Sequence, residues 1–527
     1  MTLPFLFSHL FFFRLWRSSW GSFFKLASFR ASLNELKQRT GSLAQRLWPI
    51  EKGEGGLFLQ MFLLALLINA NYSLLRALRS ALVVADPRGE AELIPHYELM
   101  MVLPLSIAIS AILARLCRRF SLRVIFSITL IFFLLFFLLF AFWIYPRSEM
   151  LDQLLAFGEG RGLTRVFHRW TFGLFYGAAE LWKVVLLTVL FFGLLNQSLL
   201  LKEARRLYAP LMVAGSLGAM LAGPLTTLCT SKPLFYAMPL ASEQWHHSLS
   251  LAALVVAIIG LAILVLFNRL ARQLIAERAP KNVKKIDKRV SLTLSSAFKH
   301  LISSPYLLLL FLIVFSDYIT YSFAELLFLD SVGKLFPDPE GYWRYMGRLS
   351  FWSGVGTAVM ALFVAPLILE RMRWRIAALV TPLVVLVSGG LFLLAACAID
   401  APWFTAFCGP LSPLQVCVAL GSLEYCLGRM AKYTLFDATK ELAFVPLAVD
   451  EQTKGKLVID GIGSRFGRAS SSALSLGLVG LFGSVGASAP GASLLVLFFT
   501  LLWIAATFSM GSRFEAITGE RSKVAPA

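Results

Sequence analysis

Long apolar runs recur along almost the whole chain, each close to the length that crosses a lipid bilayer and each followed by a short charged connection. About 20 apolar residues in helical form span the hydrocarbon layer, and backbone in lipid must satisfy its hydrogen bonds internally. Runs of that quality fall near 57–84, 94–116, 122–145, 169–196, 206–229, 247–268, 305–330, 346–370, 375–398, 412–438, 457–484 and 490–511. They predict an all-α polytopic membrane protein with twelve transmembrane helices. Composition agrees, since 58% hydrophobic and 15% charged lies well outside the range of soluble domains.

Lysine and arginine in the connections set the orientation. Arg115, Arg118, Arg119 and Arg123 sit between runs 2 and 3, and Lys202, Arg205 and Arg206 between 4 and 5. Arg371, Arg373 and Arg375 follow run 8, and "RLARQLIAERAPKNVKKIDKRV" separates runs 6 and 7. With twelve spans all of these share one side, which the positive-inside bias makes cytoplasmic along with both termini. The formal net charge of +19 is therefore topological rather than a nucleic-acid footprint. The opening "MTLPFLFSHLFFFRLWRSSWGSFFKLASFR" has Arg14 and Arg17 inside its apolar stretch and no small-residue cleavage site. It reads as an amphipathic helix on the cytoplasmic face, with a thirteenth span as the alternative.

The expected organisation is a basic amphipathic arm (1–55), a six-helix bundle (56–270), a basic linker (271–304), a second six-helix bundle (305–512) and a tail (513–527). Two bundles joined by a cytoplasmic linker form a major-facilitator-like plan, in which the first and fourth helices of each half line a central site. No GxxxxGK[ST] sequence is present, so the chain is not its own ATPase. The six cysteines and six histidines show no metal-ligand spacing. The cysteines read as small buried hydrophobes rather than disulfide partners. No metal or cofactor is expected, and no nucleophile–base constellation marks an enzyme.

Charge inside a span is expensive and usually faces a bundle interior or a wet path. Run 1 carries Arg76 and Arg79, and run 4 carries Glu180 and Lys183. Run 7 carries Asp317 and Glu325, and run 10 carries Glu424, Arg429, Lys432, Asp437 and Lys440. These are the four helices that should line the cavity. Arginine and lysine from both halves predict an anionic substrate, with guanidinium forks suited to phosphate. Tyr72, Tyr321, Tyr425, Tyr433 and Phe436 lie within reach and can stack on a flat base or simply pack. Asp437 is one turn from Lys440 and is expected to hold it between turnovers. Arg465 and Arg468 fit a phosphate rim and a loop edge equally well.

Four stretches carry a resemblance: "NYSLLRALRSALVVADPRGEAELIPHYEL", "AAELWKVVLLTVLFFGLLNQSLLLKEARRLYAPLMVAGS", "LFPDPEGYWRYMGRLSFWSGV" and "AKYTLFDATKELAFVPLAVDEQTKGKLVIDGIGSRFGR". Over about 57–511 the chain resembles the nucleotide transporter family, the ATP:ADP translocases of intracellular bacteria and plastids. The resemblance implies nucleotide uptake from a host cell across a bacterial inner membrane. It also implies that Arg79, Glu180, Glu325 and Lys440 matter for transport. The chain departs from the family's exchangers, which have Lys-Asp at Arg79-Ser80 and Trp-Lys-Ser at Phe328-Leu329-Asp330. They have uncharged residues at Asp317 and Glu424, and glycine at Lys183.

The expected substrate contacts are thus Arg76, Arg79, Glu180, Glu325, Tyr433, Asp437 and Lys440. Carboxyls shielded from water can load and release protons, so Asp317, Glu424, Glu180 and Glu325 are candidates for coupling protons to net nucleotide import. Salt bridging of Asp317 and Glu424 to Arg429 or Arg76 is the plainer alternative. Strict ATP/ADP exchange, exchange of another nucleotide, and a binding-only membrane receptor are the other functions weighed. The expected partners are nucleotide, protons and lipid, and the expected working unit is a monomer.

Overall fold

Sequence that spans lipid as single segments has to be helical, and the computed structural model contains no strand among the described residues. It describes residues 54–519 apart from 118, 158–163, 200, 238–239, 278–300, 302 and 448. The expectations for the N-terminal arm, for most of the linker and for the end of the tail lie outside the described residues. Nine helices follow in succession: α1 (Gly55–Val84), α2 (Leu93–Leu113), α3 (Leu122–Leu155), α4 (Trp170–Asn196), α5 (Pro210–Cys229), α6 (Gln244–Leu274), α7 (Pro305–Leu335), α8 (Pro339–Arg371) and α9 (Trp374–Cys397). Then come α10 (Pro413–Phe444), α11 (Ser464–Phe482) and α12 (Ala489–Thr518).

By length and hydropathy ten of these can cross a membrane, and α10 makes an eleventh, joined at a 75° bend to the short helix Pro402–Cys408. The predicted eleventh run, 457–484, contains α11, which is helical in place but too polar to qualify. Its Arg468, Ser471, Ser472 and Ser475 face an internal cavity rather than lipid, which is why its hydropathy is low. Three helix starts carry a capping side chain. Ser304, Asp338 and Ser412 cap their helices by accepting from a backbone N–H three residues on, each with proline next.

Helices α3, α6, α9 and α12 each turn an apolar face outward: Phe132 and Leu135, Ile258 and Leu261, Val387 and Leu394, Leu494 and Phe498. Such a surface suits hydrocarbon, not water. Related packing recurs in the two halves. Phe126 on α3 stacks on Phe267 of α6, and Trp374 on α9 stacks on Phe514 of α12. The first of these contacts is reinforced by Arg123 donating to Asn268, and the second by Arg375 reaching Ser512 and Glu515. Both lie at the end that carries the basic connections.

At the opposite end the bundles meet closely. Glycines let α8 press against α5: a Cβ on Gly347 would lie 2.0 Å from Thr226 Oγ1, and one on Gly354 would lie 2.8 Å from the Ser216 carbonyl oxygen. The first turns of α2 pack on α11. Glu340 at the start of α8 accepts from Gln244 (2.6 Å) and Ser248 (2.8 Å) of α6. The molecule is therefore clamped at the end away from the basic loops.

Candidate functional site

A cavity of about 310 Å³ lies between the bundles, with walls from α1, α2, α4, α7, α10 and α11. Five cations line it, Arg76, Arg79, Lys183, Lys432 and Arg468, together with four carboxylates, Glu98, Glu180, Glu325 and Asp437. Charge of this density inside a membrane protein has to be balanced locally, and two linked groups do so. Arg79 pairs with Glu180, whose other oxygen lies 3.6 Å from Arg468, and the Arg79 guanidinium lies 4.2 Å over the Tyr176 ring. Arg76 pairs with Glu325 and donates to Tyr321. Glu98 accepts from Tyr176 at 2.9 Å.

Two of these ion pairs join one bundle to the other. Arg76 on α1 holds Glu325 on α7, and Glu180 on α4 faces Arg468 on α11. An anion that competes for either arginine therefore acts on the contact between bundles.

Lys183 has no carboxylate within ion-pair range among the described residues. Its ammonium sits 5.2 Å from the Tyr72 ring and 5.4 Å from that of Tyr433. All three residues also line a second cavity of about 240 Å³, which extends between α1, α5 and α8 and carries Asn69, Ser73, Ser350, Ser353 and Thr357. The first space is dominated by charge, whereas the second is mostly apolar, with Arg429 and these hydroxyl and amide groups in its wall; the two share Tyr72, Arg76, Lys183, Tyr433 and Asp437.

Helix geometry contributes as well. Glu98, Lys183 and Lys432 each begin a π-helical stretch, in α2, α4 and α10. Such stretches re-aim the side chains that follow and are frequent at functional sites.

Of the side chains expected at the site, Arg76, Arg79, Glu180, Glu325, Tyr433 and Asp437 line this cavity. Lys440 does not. It lies nearer the basic end, where its ammonium donates to Asp460 at 2.8 Å and stands 3.9 Å from Glu441. The expected hold by Asp437 is thus replaced by one from Asp460, at the start of the segment leading into α11. Asp317 and Glu424 are also absent from the lining and are buried within the C-terminal bundle. Asp317 is paired with Lys432 at 2.5 Å, not with Arg429 or Arg76. Arg429 stacks on Tyr425 and Tyr433. Phe436 packs against Trp503 in the core, and Tyr425 against Phe328. Arg468 faces the cavity while Arg465 donates to Ser110 at the surface, so the two arginines separate.

The lining also includes groups that sequence reasoning did not place there. Lys432 was visible as an intramembrane charge but not assigned to the site. Glu98 carried a usable signal, a carboxylate within an apolar run, and was passed over because only the first and fourth helices of each half were expected to contribute.

A family model described as "TLC ATP/ADP transporter" matches residues 33–514. The chain belongs to the TLC ATP/ADP transporter family. The match begins some way before residue 57, where the resemblance was expected to start, and so takes in part of the N-terminal arm. Among curated relatives, ADP,ATP carrier protein 1 of Chlamydia trachomatis serovar D is 30% identical over 92% of this chain and 93% of its own length. ADP,ATP carrier protein 2 of the same organism is 32% identical, over 89% and 91%. ADP,ATP carrier protein 1 of Rickettsia conorii is 28% identical, over 91% and 98%. Among solved structures, a bacterial homologue of the iron transporter ferroportin, captured inward-facing, aligns with a TM-score of 0.54 over 86% of this chain and 98% of its own, at 14% identity. At that identity the likeness concerns the fold alone, a two-bundle transporter fold. The protein is a multi-pass membrane transporter of the TLC ATP/ADP family and not an enzyme.

Proposed function

We propose that the protein imports nucleotides, ATP or other nucleoside triphosphates, across a bacterial inner membrane by proton symport, with the basic loops and both termini in the cytoplasm. The observation that carries this reading is the composition of the shared cavity. Its cations exceed its carboxylates by one, whereas ATP brings about four negative charges at neutral pH. Binding would leave a large excess of negative charge in a partly water-excluded space, which favours taking up protons on the lining or nearby carboxylates. Import against a negative-inside potential costs ~2.3 kcal/mol per charge per 100 mV, and co-transported protons offset that cost.

The two cavities suggest how substrate lies. Phosphates fit Arg76, Arg79, Lys183 and Arg468, where arginine forks and a mobile ammonium complement them. Tyr72 and Tyr433 flank the junction, and the base extends toward Asn69, Ser350, Ser353 and Thr357, whose polar groups can read its edge. By competing with Glu325 for Arg76 and with Glu180 for Arg468, phosphate loosens both cross-bundle ion pairs. Substrate then has different affinities for the two arrangements of the bundles, which alternating access requires. With the basic loops inside, the clamped end is external and the conformation described is inward-facing. Lys440, paired with Asp460, is placed to act at the cytoplasmic mouth.

Uptake of labelled ATP into proteoliposomes tests the mode of transport. Accumulation in vesicles free of internal nucleotide, abolished by a protonophore, is the expected result. Uptake that requires internal ADP and ignores the protonophore would make the protein an exchanger instead.

A further inference from the structure

Behind the cavity wall the C-terminal bundle holds a second, smaller polar space, bounded by α7, α9, α10 and α12 and large enough for about one water molecule. Asp317 and Thr320 face it from α7, Thr381 from α9, Glu424 from α10 and Trp503 from α12, none more than 4% exposed. Three polar atoms on these side chains have no hydrogen-bond partner: Thr320 Oγ1, Thr381 Oγ1 and Trp503 Nε1. Glu424 has neither an ion pair nor a hydrogen bond among the described residues, and it is 3% exposed. Buried polar groups normally find partners, and an uncompensated carboxylate is among the most costly groups to bury. Four groups in that condition around one small void indicate a site that fills and empties.

Lys432 and Tyr321 line both this chamber and the central cavity. The Lys432 ammonium donates to Asp317 at 2.5 Å and lies 4.7 Å and 5.0 Å from the Tyr318 and Tyr321 rings. Among the described residues it is the one cation that lines both the substrate space and the chamber.

We infer that this chamber is the proton site of the transporter, and that Lys432 couples it to substrate. The inference rests on the symport reading and gives it a location. A nucleotide phosphate in the cavity draws the Lys432 ammonium away from Asp317. The chamber then holds two carboxylates and no cation, and protons from water settle on Asp317 and Glu424, each forming an O–H that donates to the chamber's hydroxyls or its water. When the nucleotide leaves, the ammonium returns to Asp317, and its positive charge drives the protons on both Asp317 and Glu424 out to water. Nothing is oxidised or reduced, and each proton taken up on one side is released on the other. The titratable groups facing Glu424 are Asp317, Tyr321 and Glu325 on α7, and Cys426 and Lys432 on its own helix; α9 and α12 contribute Thr381 and Trp503 to the chamber. A metal cation fits less well. Besides the carboxylates the chamber offers only the hydroxyls of Thr320, Tyr321 and Thr381, and its ammonium and indole N–H are donors that cannot ligate one.

The test uses the full chain in proteoliposomes, with labelled ATP uptake driven by an imposed pH gradient. Alongside it, calorimetric titration with ATP in buffers of different ionisation enthalpy counts the protons taken up on binding. Wild type is expected to respond to the gradient at least tenfold and to take up one to two protons per ATP. Glu424→Gln, which mimics the protonated acid, is expected to lower the gradient response to under twofold and the proton count by about one. ATP counterflow, which needs no net proton movement, should persist at a fifth or more of the wild-type rate and reports that the variant is folded. Thr381→Val, a milder change in the same wall, is expected to reduce the gradient response two- to fivefold. Wild-type coupling that survives both changes intact overturns the site alone. A wild type that ignores the gradient and binds no proton overturns the symport reading and the site together. Stimulation by a sodium gradient instead, lost in Glu424→Gln, overturns the proton assignment.

Discussion

The two halves of the molecule share a fold and differ in where they keep their charge. The N-terminal bundle places all of its intramembrane charges from α1, α2 and α4 on the cavity wall: Arg76, Arg79, Glu98, Glu180 and Lys183. The C-terminal bundle presents Glu325, Lys432, Asp437 and Arg468 there, and keeps Asp317, Glu424 and Arg429 out of that lining. Helices α4 and α10 make the contrast sharpest. Each enters a π-helical stretch at a lysine, but Lys183 stands between tyrosine rings without a carboxylate, while Lys432 is bonded to Asp317. On the proposed mechanism one half holds the anion, and in the other half holding the anion changes the charge balance behind its wall.

The largest expected effect breaks the N-terminal half. Arg79→Gln removes a buried guanidinium from between Glu180 and Tyr176 and leaves Glu180 with Arg468 alone. Removing one partner of a buried pair commonly costs about 3–5 kcal/mol. ATP uptake should fall at least a hundredfold, with weaker ATP binding by calorimetry. Unimpaired uptake would contradict the assignment of the cavity. Glu325→Gln should act in the opposite sense on binding. It frees Arg76 for phosphate, so ATP is expected to bind several-fold more tightly while turnover drops, because one of the two cross-bundle ties is gone.

Next in size is the end near the basic connections, about tenfold. Lys440→Gln should lower turnover while leaving ATP affinity within about threefold, since Lys440 does not line the cavity. Asp460→Asn should produce a similar loss, and the double variant should be little worse than either single change, as expected for a pair acting together. A large loss of affinity in Lys440→Gln would move that lysine back into the binding site. Arg468→Ala is expected to weaken ATP binding about tenfold against less than twofold for Arg465→Ala, and similar effects would erase the distinction drawn between them.

That distinction marks the limit of what the sequence could disclose. The spans and the concentration of charge in α1, α4, α7 and α10 follow from hydropathy and the cost of buried charge. Depth along a helix can be counted at ~1.5 Å per residue, but the direction a side chain faces cannot be counted through a π-helical stretch, because an extra residue per turn rotates everything after it. Lys440 lies beyond such a stretch, at Lys432–Phe436, and its phase was not readable. Asp317 and Glu424 were legible as anomalous charges. The chamber they share was not, since it depends on Thr320, Thr381 and Trp503, which look like ordinary core residues in sequence. Arg468 was ambiguous because its role depends on where α11 begins, and the helix there starts early enough to carry it inside.

The smallest effect concerns the clamp that holds the halves together. Gly347 lets α8 touch α5 at a point where a Cβ would sit 2.0 Å from Thr226 Oγ1 and 2.8 Å from its Cγ2. Both atoms belong to a side chain rather than to backbone, so Gly347→Ala should be accommodated by a small displacement rather than by unfolding. The expected result is a two- to fivefold slower uptake with ATP affinity preserved, because the clamped end is made less favourable while the cavity residues are untouched. Thr226→Ala removes both crowding atoms and the hydrogen bond from Oγ1 to the Gly223 carbonyl. Combined with Gly347→Ala it should restore part of the rate. If the double variant were instead slower than Gly347→Ala alone, the contact would be holding α5 straight, and closure of that end would have to be assigned to the Glu340–Gln244–Ser248 contacts.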